Sequence, residues 1–302
     1  ITIEDIPYTS IEFAKNNPVS LESGTSHKMQ LVTGPANATD HRIKWTSSNK
    51  TAATVDENGT VTALRPIETV TITAVYKTNP ALTCSWNLKI TRTKGYITKQ
   101  MLDNLDLTSI KKVMITAHPD DETLWGGGHL IEGEYLVVCM THGWNPKRRT
   151  AFEQTMRTTN DKYLILDYPD VRKTFSNGKY ETDMLSTCKN AMQEDINLIL
   201  SYKKWDLIAT HNPFGEYGKF LHKTISQMVT QCYNKMTNKS ATLYYFGRYY
   251  NSSNKIPGEQ IAPELLAIKN SMVGRYYPTA KGAIDAFGHM IPYENWLLPS
   301  EW

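Results

Sequence analysis

From about residue 100 onward, short apolar runs alternate with stretches of helical periodicity, and no other feature restricts the fold as much. The runs are VMITA (113–117), YLVVCM (135–140), YLIL (163–166), DLIAT (206–210) and TLYYF (242–246). They are apolar nearly throughout rather than at every second position, as strands covered on both faces require. Between them, Leu185, Cys188, Met192, Leu198 and Ile199 share one helical face, as do Leu221, Ile225, Met228, Val229, Cys232 and Met236. The alternation predicts an α/β fold with a Rossmann-like, mostly parallel sheet covered by helices. Ligands of such sheets sit beyond the C-terminal ends of the strands.

The first 93 residues follow a different rule. In TVTITAVY, Val70, Ile72 and Ala74 alternate with threonines, a period of two. Asn58-Gly59 between VDE and TVTAL reads as a two-residue hairpin turn. Turn residues recur between short runs, as in an all-β sandwich. With 302 residues, two domains are expected, 1–93 all-β and 94–302 α/β.

A net charge of +3 and the lack of a basic stripe with interleaved aromatics give no support for a nucleic-acid partner. No apolar run is long enough to cross a bilayer as a helix. The four cysteines, Cys84, Cys139, Cys188 and Cys232, have no CxxC spacing, which argues against a cysteine zinc site. Cys139 reads as a core residue, and a Cys188–Cys232 bridge has no specific support.

The strand ends carry the chemistry. The first α/β strand runs into Ala117-His118-Pro119-Asp120-Asp121-Glu122. Pro119 stops the ladder, leaving His118 at the sheet edge and the aspartates at the start of a helix. An imidazole and two carboxylates suit a divalent metal; the same carboxylates also suit a helix N-terminus, where the dipole favours them. After the fourth strand comes HNPFGEYGKFLH (211–222), in which Lys219 and His222, three apart, share a face of a helix's first turn. His222 is a candidate third ligand.

Two resemblances follow from these residues. IKWTSSNKTAATVDENGTVTAL with TVTITAVY is similar to the bacterial Ig-like group 2 domain, through Trp45, Ser47, Asn49, Val55, Asp56, Gly59, Val61, Ala63, Ile72, Thr73 and Ala74. That resemblance implies a β-sandwich of secreted or surface proteins, hence an extracellular or cell-surface location, and either a passive stalk or a module binding cell-wall or surface glycan. The His-Pro-Asp-Asp-Glu segment with the later Gly-Glu-Tyr-Gly-x-x-x-His resembles the LmbE-like (PIG-L) de-N-acetylases. It implies Zn2+ on His118, Asp121 and His222, with Asp120 as general base for zinc-hydroxide attack and Tyr217 polarising the substrate carbonyl. Fe2+ or Co2+ also suit such ligands. The chain departs from the family pattern at Lys219, which stands where a histidine is usual. A lysine can stabilise an oxyanion but is a poor proton donor at neutral pH.

The resemblance also implies an arginine that meets the substrate, for which Arg149 is the candidate, with Asp170 after the third strand as a second contact. Trp144 either stacks on a sugar ring or packs the rim. Lys147, Arg148 and Arg149 open a helix against its dipole, as a ligand site or as a solvated charge run. The expected activity is removal of an acetyl group from an N-acetylated sugar of N-acetylglucosamine type. The alternative is an extracellular glycan-binding protein whose deacetylase-like domain is catalytically impaired.

Overall fold

The structure, a computed structural model, describes residues 5–171, 183–237 and 240–302. It divides into two units. One comprises the described residues through Thr93 together with the start of a later helix as far as Cys188; the other holds the remainder from Lys94.

In the first unit, strands β1 (Ser10–Phe13), β2 (Ser20–Glu22), β3 (Ser26–Lys28), β4 (Leu31–Gly34), β5 (Ile43–Ser47), β6 (Ala53–Val55), β7 (Thr60–Ala63), β8 (Ile67–Tyr76) and β9 (Thr83–Thr91) follow in order. They form the sheets β2-β9-β8-β5, β3-β7-β6 and β1-β4. The period of two in β8 turns Val70, Ile72, Ala74 and Tyr76 inward, onto a core with Phe13, Val61, Leu88 and Ile90. The Asn58-Gly59 turn is wider than the two-residue hairpin expected. Asp56 pairs with Thr60, Asp56 Oδ1 accepts the amides of Asn58 and Thr60, and Gly59 alone takes a positive φ of 78°. Such a three-residue loop ending in a left-handed residue demands glycine at one position only. All four cysteines of the chain are free thiols, so the Cys188–Cys232 bridge is not formed.

The second unit opens with α1 (Lys99–Asp103) and then alternates strand and helix: β10 (Lys112–Thr116), α2 (Asp121–Glu132), β11 (Tyr135–Thr141), α3 (Pro146–Thr159), β12 (Lys162–Tyr168), α4 (Asp183–Tyr202), β13 (Leu207–Thr210), α5 (Gly215–Gly218), α6 (Phe220–Lys235), β14 (Thr242–Tyr245) and α7 (Pro263–Phe287). The sheet order is β12-β11-β10-β13-β14, with every pairing parallel. The chain fills one side of β10 first, then crosses to the other. The strand order therefore reverses between β10 and β13, and the crevice beyond their C-terminal ends is the topological switch point. Both candidate ligand segments leave the sheet there.

Residues 245–302, rich in tyrosine and tryptophan, include a helix. α7 packs on α2 and α3 and brings Val273, Tyr276, Ile284 and Phe287 into the core with Leu124, Trp125, Phe152 and Met156. Pro278 lies inside it, and its backbone leaves helical geometry two residues later, at Ala280. Gly126, Gly127 and Gly128 of α2 permit close helix packing. A Cβ would lie 2.8 Å from Met114 Cε at Gly126, 2.9 Å from Lys269 Cγ at Gly127 and 3.1 Å from Glu294 Oε2 at Gly128.

Candidate metal centre

β10 ends at Thr116, and Pro119 turns the chain so that Asp120 takes the N-cap position of α2 with φ 145°. This is a costly conformation for a residue with a Cβ. It sets the carboxylates of Asp120 and Asp121 side by side, both buried with His118. From β13, the chain passes through α5, where Glu216 has φ 54°, and delivers His222 on the first turn of α6. Asn212 stabilises this connection: its side-chain oxygen accepts the amides of Phe214 and Glu216.

His118, Asp121 and His222 converge. His118 Nδ1 lies 3.1 Å from His222 Nε2 and 3.2 Å from Asp121 Oδ2, and His222 Nε2 lies 3.4 Å from the same carboxylate oxygen. The outer nitrogens face carboxylates: His118 Nε2 is 3.0 Å from Asp170 Oδ1, and His222 Nδ1 is 2.5 Å from Glu216 Oε2. When both outer N–H groups donate to these carboxylates, both inner nitrogens present lone pairs to each other and to Asp121. Three acceptors at that separation repel unless a cation or a proton lies among them. Zinc ligand bonds of about 2.0–2.1 Å at tetrahedral angles put ligand atoms about 3.3–3.4 Å apart. Donor types, spacing and the orienting carboxylates all fit a zinc-class ion.

Electrostatics agree. Burial lowers the pKa of His222 to about 4, leaving it a neutral ligand. Burial also works against charging His118, but the Asp170 and Asp121 carboxylates outweigh it and lift its pKa to about 9. Without an ion, a proton on His118 fills the gap, and an entering cation displaces it. Asp120 behaves differently. Burial first, and then the charge of Asp121, raise its pKa to about 7, within the range suited to proton transfer near neutrality.

A pocket of about 100 Å3 opens over the cluster. Tyr217 and Lys219 form part of its wall with Arg148, Asp170 and His142. The Tyr217 ring stacks on Phe287 of α7 with centroids 4.2 Å apart. Burial, reinforced by the surrounding carboxylates, pushes its phenol well above the usual range, so it stays a hydrogen-bond donor. Asp170 lies behind His118 as well as in the wall.

Arg149, the arginine singled out from sequence, donates Nε–H to the Gly143 carbonyl at 2.6 Å and is not among the residues lining the pocket. Arg148 lines it instead, 3.9 Å from Asp120 Oδ1 and hydrogen-bonded to the Pro119 and Thr279 carbonyls. On a helix, neighbouring residues point about 100° apart, and sequence alone does not fix which one faces inward. Trp144 is half-buried beside His142, with ring centroids 6.2 Å apart, and it too is absent from the pocket lining.

Glu216 and His211 receive no role from sequence, though both lie in the 211–222 segment. His211 is fully buried, stacked on His222 at 3.9 Å. Its Nε2 accepts the Ala117 amide, while its Nδ1 lies 3.0 Å from Glu216. A histidine directly after the strand at the switch point was the available signal.

Residues 7–85 match the bacterial Ig-like domain (group 2). The chain is similar to the uncharacterized protein L374 of Acanthamoeba polyphaga mimivirus, at 31% identity over 175 residues, covering 52% of this chain and 67% of that protein. It is 32% identical over 117 residues to the uncharacterized protein CA_P0160 of Clostridium acetobutylicum, covering 38% of this chain but only 12% of that much longer relative. Among solved structures, the conserved protein TT1542 from Thermus thermophilus is similar with a TM-score of 0.46 at 13% identity, covering 64% of this chain and 96% of that one. No helix among the described residues is long and apolar enough to cross a membrane.

Proposed function

The chain carries an N-terminal bacterial Ig-like domain and belongs to the same family as the mimivirus protein L374, and we propose that its α/β domain is a metal-dependent hydrolase that removes acetyl groups from N-acetylated sugars. The observation that carries this reading is the convergence of His118 Nδ1, Asp121 Oδ2 and His222 Nε2 at 3.1–3.4 Å beside a separate carboxylate whose pKa is raised to about 7. The strand order β12-β11-β10-β13-β14 is that of a Rossmann-like sheet, and the His-Pro-Asp-Asp-Glu and Gly-Glu-Tyr-Gly-x-x-x-His segments resemble the LmbE-like (PIG-L) de-N-acetylases.

His118, Asp121 and His222 would hold the ion, with Zn2+ favoured by the donor set and Fe2+ or Co2+ as alternatives. The bound ion supplies Lewis acidity towards an amide oxygen and lowers the pKa of a coordinated water to roughly 7. Asp120 accepts a proton at its carboxylate as water adds to the acetamide carbon, and returns it to the nitrogen as the C–N bond breaks. The products are acetate and the free amine. Tyr217 donates its phenolic hydrogen to the developing oxyanion. Lys219 adds positive charge on the same wall, and Arg148 stands beside Asp120. Leu124, Trp125 and Phe287 form the apolar part of the wall and limit water. Arg149 and Trp144 remain candidate rim contacts only for groups projecting beyond the pocket.

The Ig-like domain supports an extracellular or cell-surface location and, in this reading, holds the hydrolase near a surface glycan. The competing reading, a glycan-binding protein with impaired catalysis, is motivated by Lys219. Metal quantification followed by acetate release across N-acetylhexosamine substrates separates the two. The hydrolase requires about one metal per chain and metal-dependent acetate release; metal without release from any substrate supports the binding protein. Asp120→Asn should retain the metal and lose acetate release by about 100-fold or more.

A further inference from the structure

Two further cavities adjoin the metal pocket. The first, about 320 Å3, has Phe214, Lys223, Arg248, Tyr249 and Trp302 in its walls. Tyr217 is a wall of this cavity and of the metal pocket alike. The second, about 390 Å3, runs along α6 past Ser226, Gln227, Thr230 and Gln231, and shares Lys223 with the first. The three therefore adjoin in sequence, joined by Tyr217 and then by Lys223.

Their chemistry differs. In the middle cavity Phe214 is 65% exposed, its ring 5.5 Å from that of Trp302, and the Arg248 guanidinium lies over Trp302 at 4.8 Å. Neither Lys223 nor Arg248 pairs with an Asp or Glu carboxylate among the described residues, and Arg248 Nη2 donates to the Trp302 backbone oxygen at 3.1 Å, which leaves its remaining N–H groups for a ligand. Glu216 also belongs to this wall, but its carboxylate is engaged with His211 and His222. The far cavity presents the amides of Gln227 and Gln231 beside Pro213 and Tyr245, while the Thr230 hydroxyl is taken by the Ser226 carbonyl and the Tyr245 hydroxyl.

A metal pocket of about 100 Å3 is smaller than the roughly 300–1,000 Å3 of sites that enclose a whole small ligand. It accommodates an acetamide, and the rest of any substrate must lie outside. Exposed aromatic rings suit the flat C–H face of a pyranose, because aromatics bury large apolar area with little loss of freedom. Two cations not neutralised by an acidic side chain suit an anion, and side-chain amides match sugar hydroxyls.

We propose that the two cavities are oligosaccharide subsites, and that the ring following the one deacetylated carries a carboxylate held by Lys223 and Arg248. This rests on the deacetylase reading and narrows its substrate to an acidic, N-acetylated glycan chain.

Calorimetry on the zinc-loaded full chain carrying Asp120→Asn reads binding without turnover. The probes are di-N-acetylchitobiose and the acidic disaccharide in which the second N-acetylglucosamine bears a 3-O-lactyl group. The acidic probe should bind about tenfold more tightly at low salt, about 1.4 kcal/mol. Adding Lys223→Gln with Arg248→Gln should abolish that preference, and Phe214→Ala should weaken both probes several-fold, with zinc content and melting temperature checked for each variant. Equal affinity for the two probes, no binding of either, or indifference to these substitutions would overturn the assignment. If the wild-type chain releases acetate from small N-acetylhexosamines but shows no such preference, the subsites fail and the hydrolase stands. A preference for the acidic probe without acetate release from any substrate rejects the hydrolase and leaves the subsites.

Discussion

Asp170 Oδ1 lies 3.0 Å from His118 Nε2, so one imidazole is held between two carboxylates, with Asp121 at its other nitrogen. From sequence, Asp170 is expected to contact substrate. The contact with His118 gives it a positioning role: it fixes the ring and directs Nδ1 inward. Asp170→Asn should therefore lower metal affinity about 10–100-fold, measured by competition with a chromogenic chelator. A raised KM with unchanged metal affinity would return Asp170 to the substrate.

Glu216 holds two histidines with one oxygen, Oε2, toward Nδ1 of both His211 and His222, while Oε1 accepts the Asn212 amide. Glu216→Gln replaces an acceptor with a group that is half donor. We expect metal affinity to fall by at least about tenfold, and the metal-free chain to lose roughly 1–3 kcal/mol from a poorly satisfied buried contact. Chelator competition and thermal unfolding of the metal-free chain check the two effects separately.

These two carboxylates mark the boundary of what the sequence discloses. His118 and Asp121 are identifiable because they follow a strand end directly, and His222 because it opens the helix after the exit loop of β13; strand ends follow from local apolar runs. The five runs at 113–246 correspond to β10 through β14 because a strand covered on both faces is written in consecutive residues. Asp170 reaches His118 across the fold, and Glu216 meets His211 and His222 only because the loop between them folds back on itself; both partnerships are set by how loops settle after the sheet forms. Arg148 rather than Arg149 in the wall is a matter of helix rotation fixed by the Asn145 cap, whose side chain accepts the amides of Lys147 and Arg148. Helix α7 is obscured in the sequence by its internal glycines and Pro278, which lower helix propensity although core packing retains the helix.

Asp161 provides a pH test outside the candidate metal site. Its carboxylate is buried at the start of β12, accepting the Tyr135 amide and the Thr159 hydroxyl, and burial raises its pKa from 3.8 to about 7. Between those pH values the folded chain holds a proton that the unfolded chain has released. Stability therefore declines as pH rises through this window, and the full cost is present above 7. Asp161→Asn should reduce the drop in melting temperature between about pH 5 and pH 8 by several degrees. An unchanged drop would show that Asp161 ionises normally.

Lys269 is fully buried between α7 and the glycine face of α2, with Nζ 2.6 Å from Glu294 Oε1 and 2.7 Å from the Ile291 carbonyl. Glu294 in turn accepts the amides of Gly128 and His129. Lys269→Ala should cost about 3–5 kcal/mol, because it leaves a buried carboxylate without its cation. Gly127→Ala should cost about 1–3 kcal/mol by overpacking against the Lys269 stem. Chemical denaturation measures both; a loss under about 0.5 kcal/mol in either, the range of an ordinary surface change, would mean that the helix pair moves apart freely.

Five non-glycine residues among those described have positive φ, and three of them, Asp120, His142 and Glu216, lie at the His118/Asp121/His222 cluster. Each such conformation stores on the order of 1–3 kcal/mol. A laboratory selection for heat resistance alone would thus be drawn to glycine at Asp120 or His142, where it relaxes the backbone at the expense of the candidate site, whereas at Glu216 the same change would also strip His211, His222 and the Asn212 amide of their acceptor. Thermostable variants meant to keep working must draw their improvements from elsewhere in the chain.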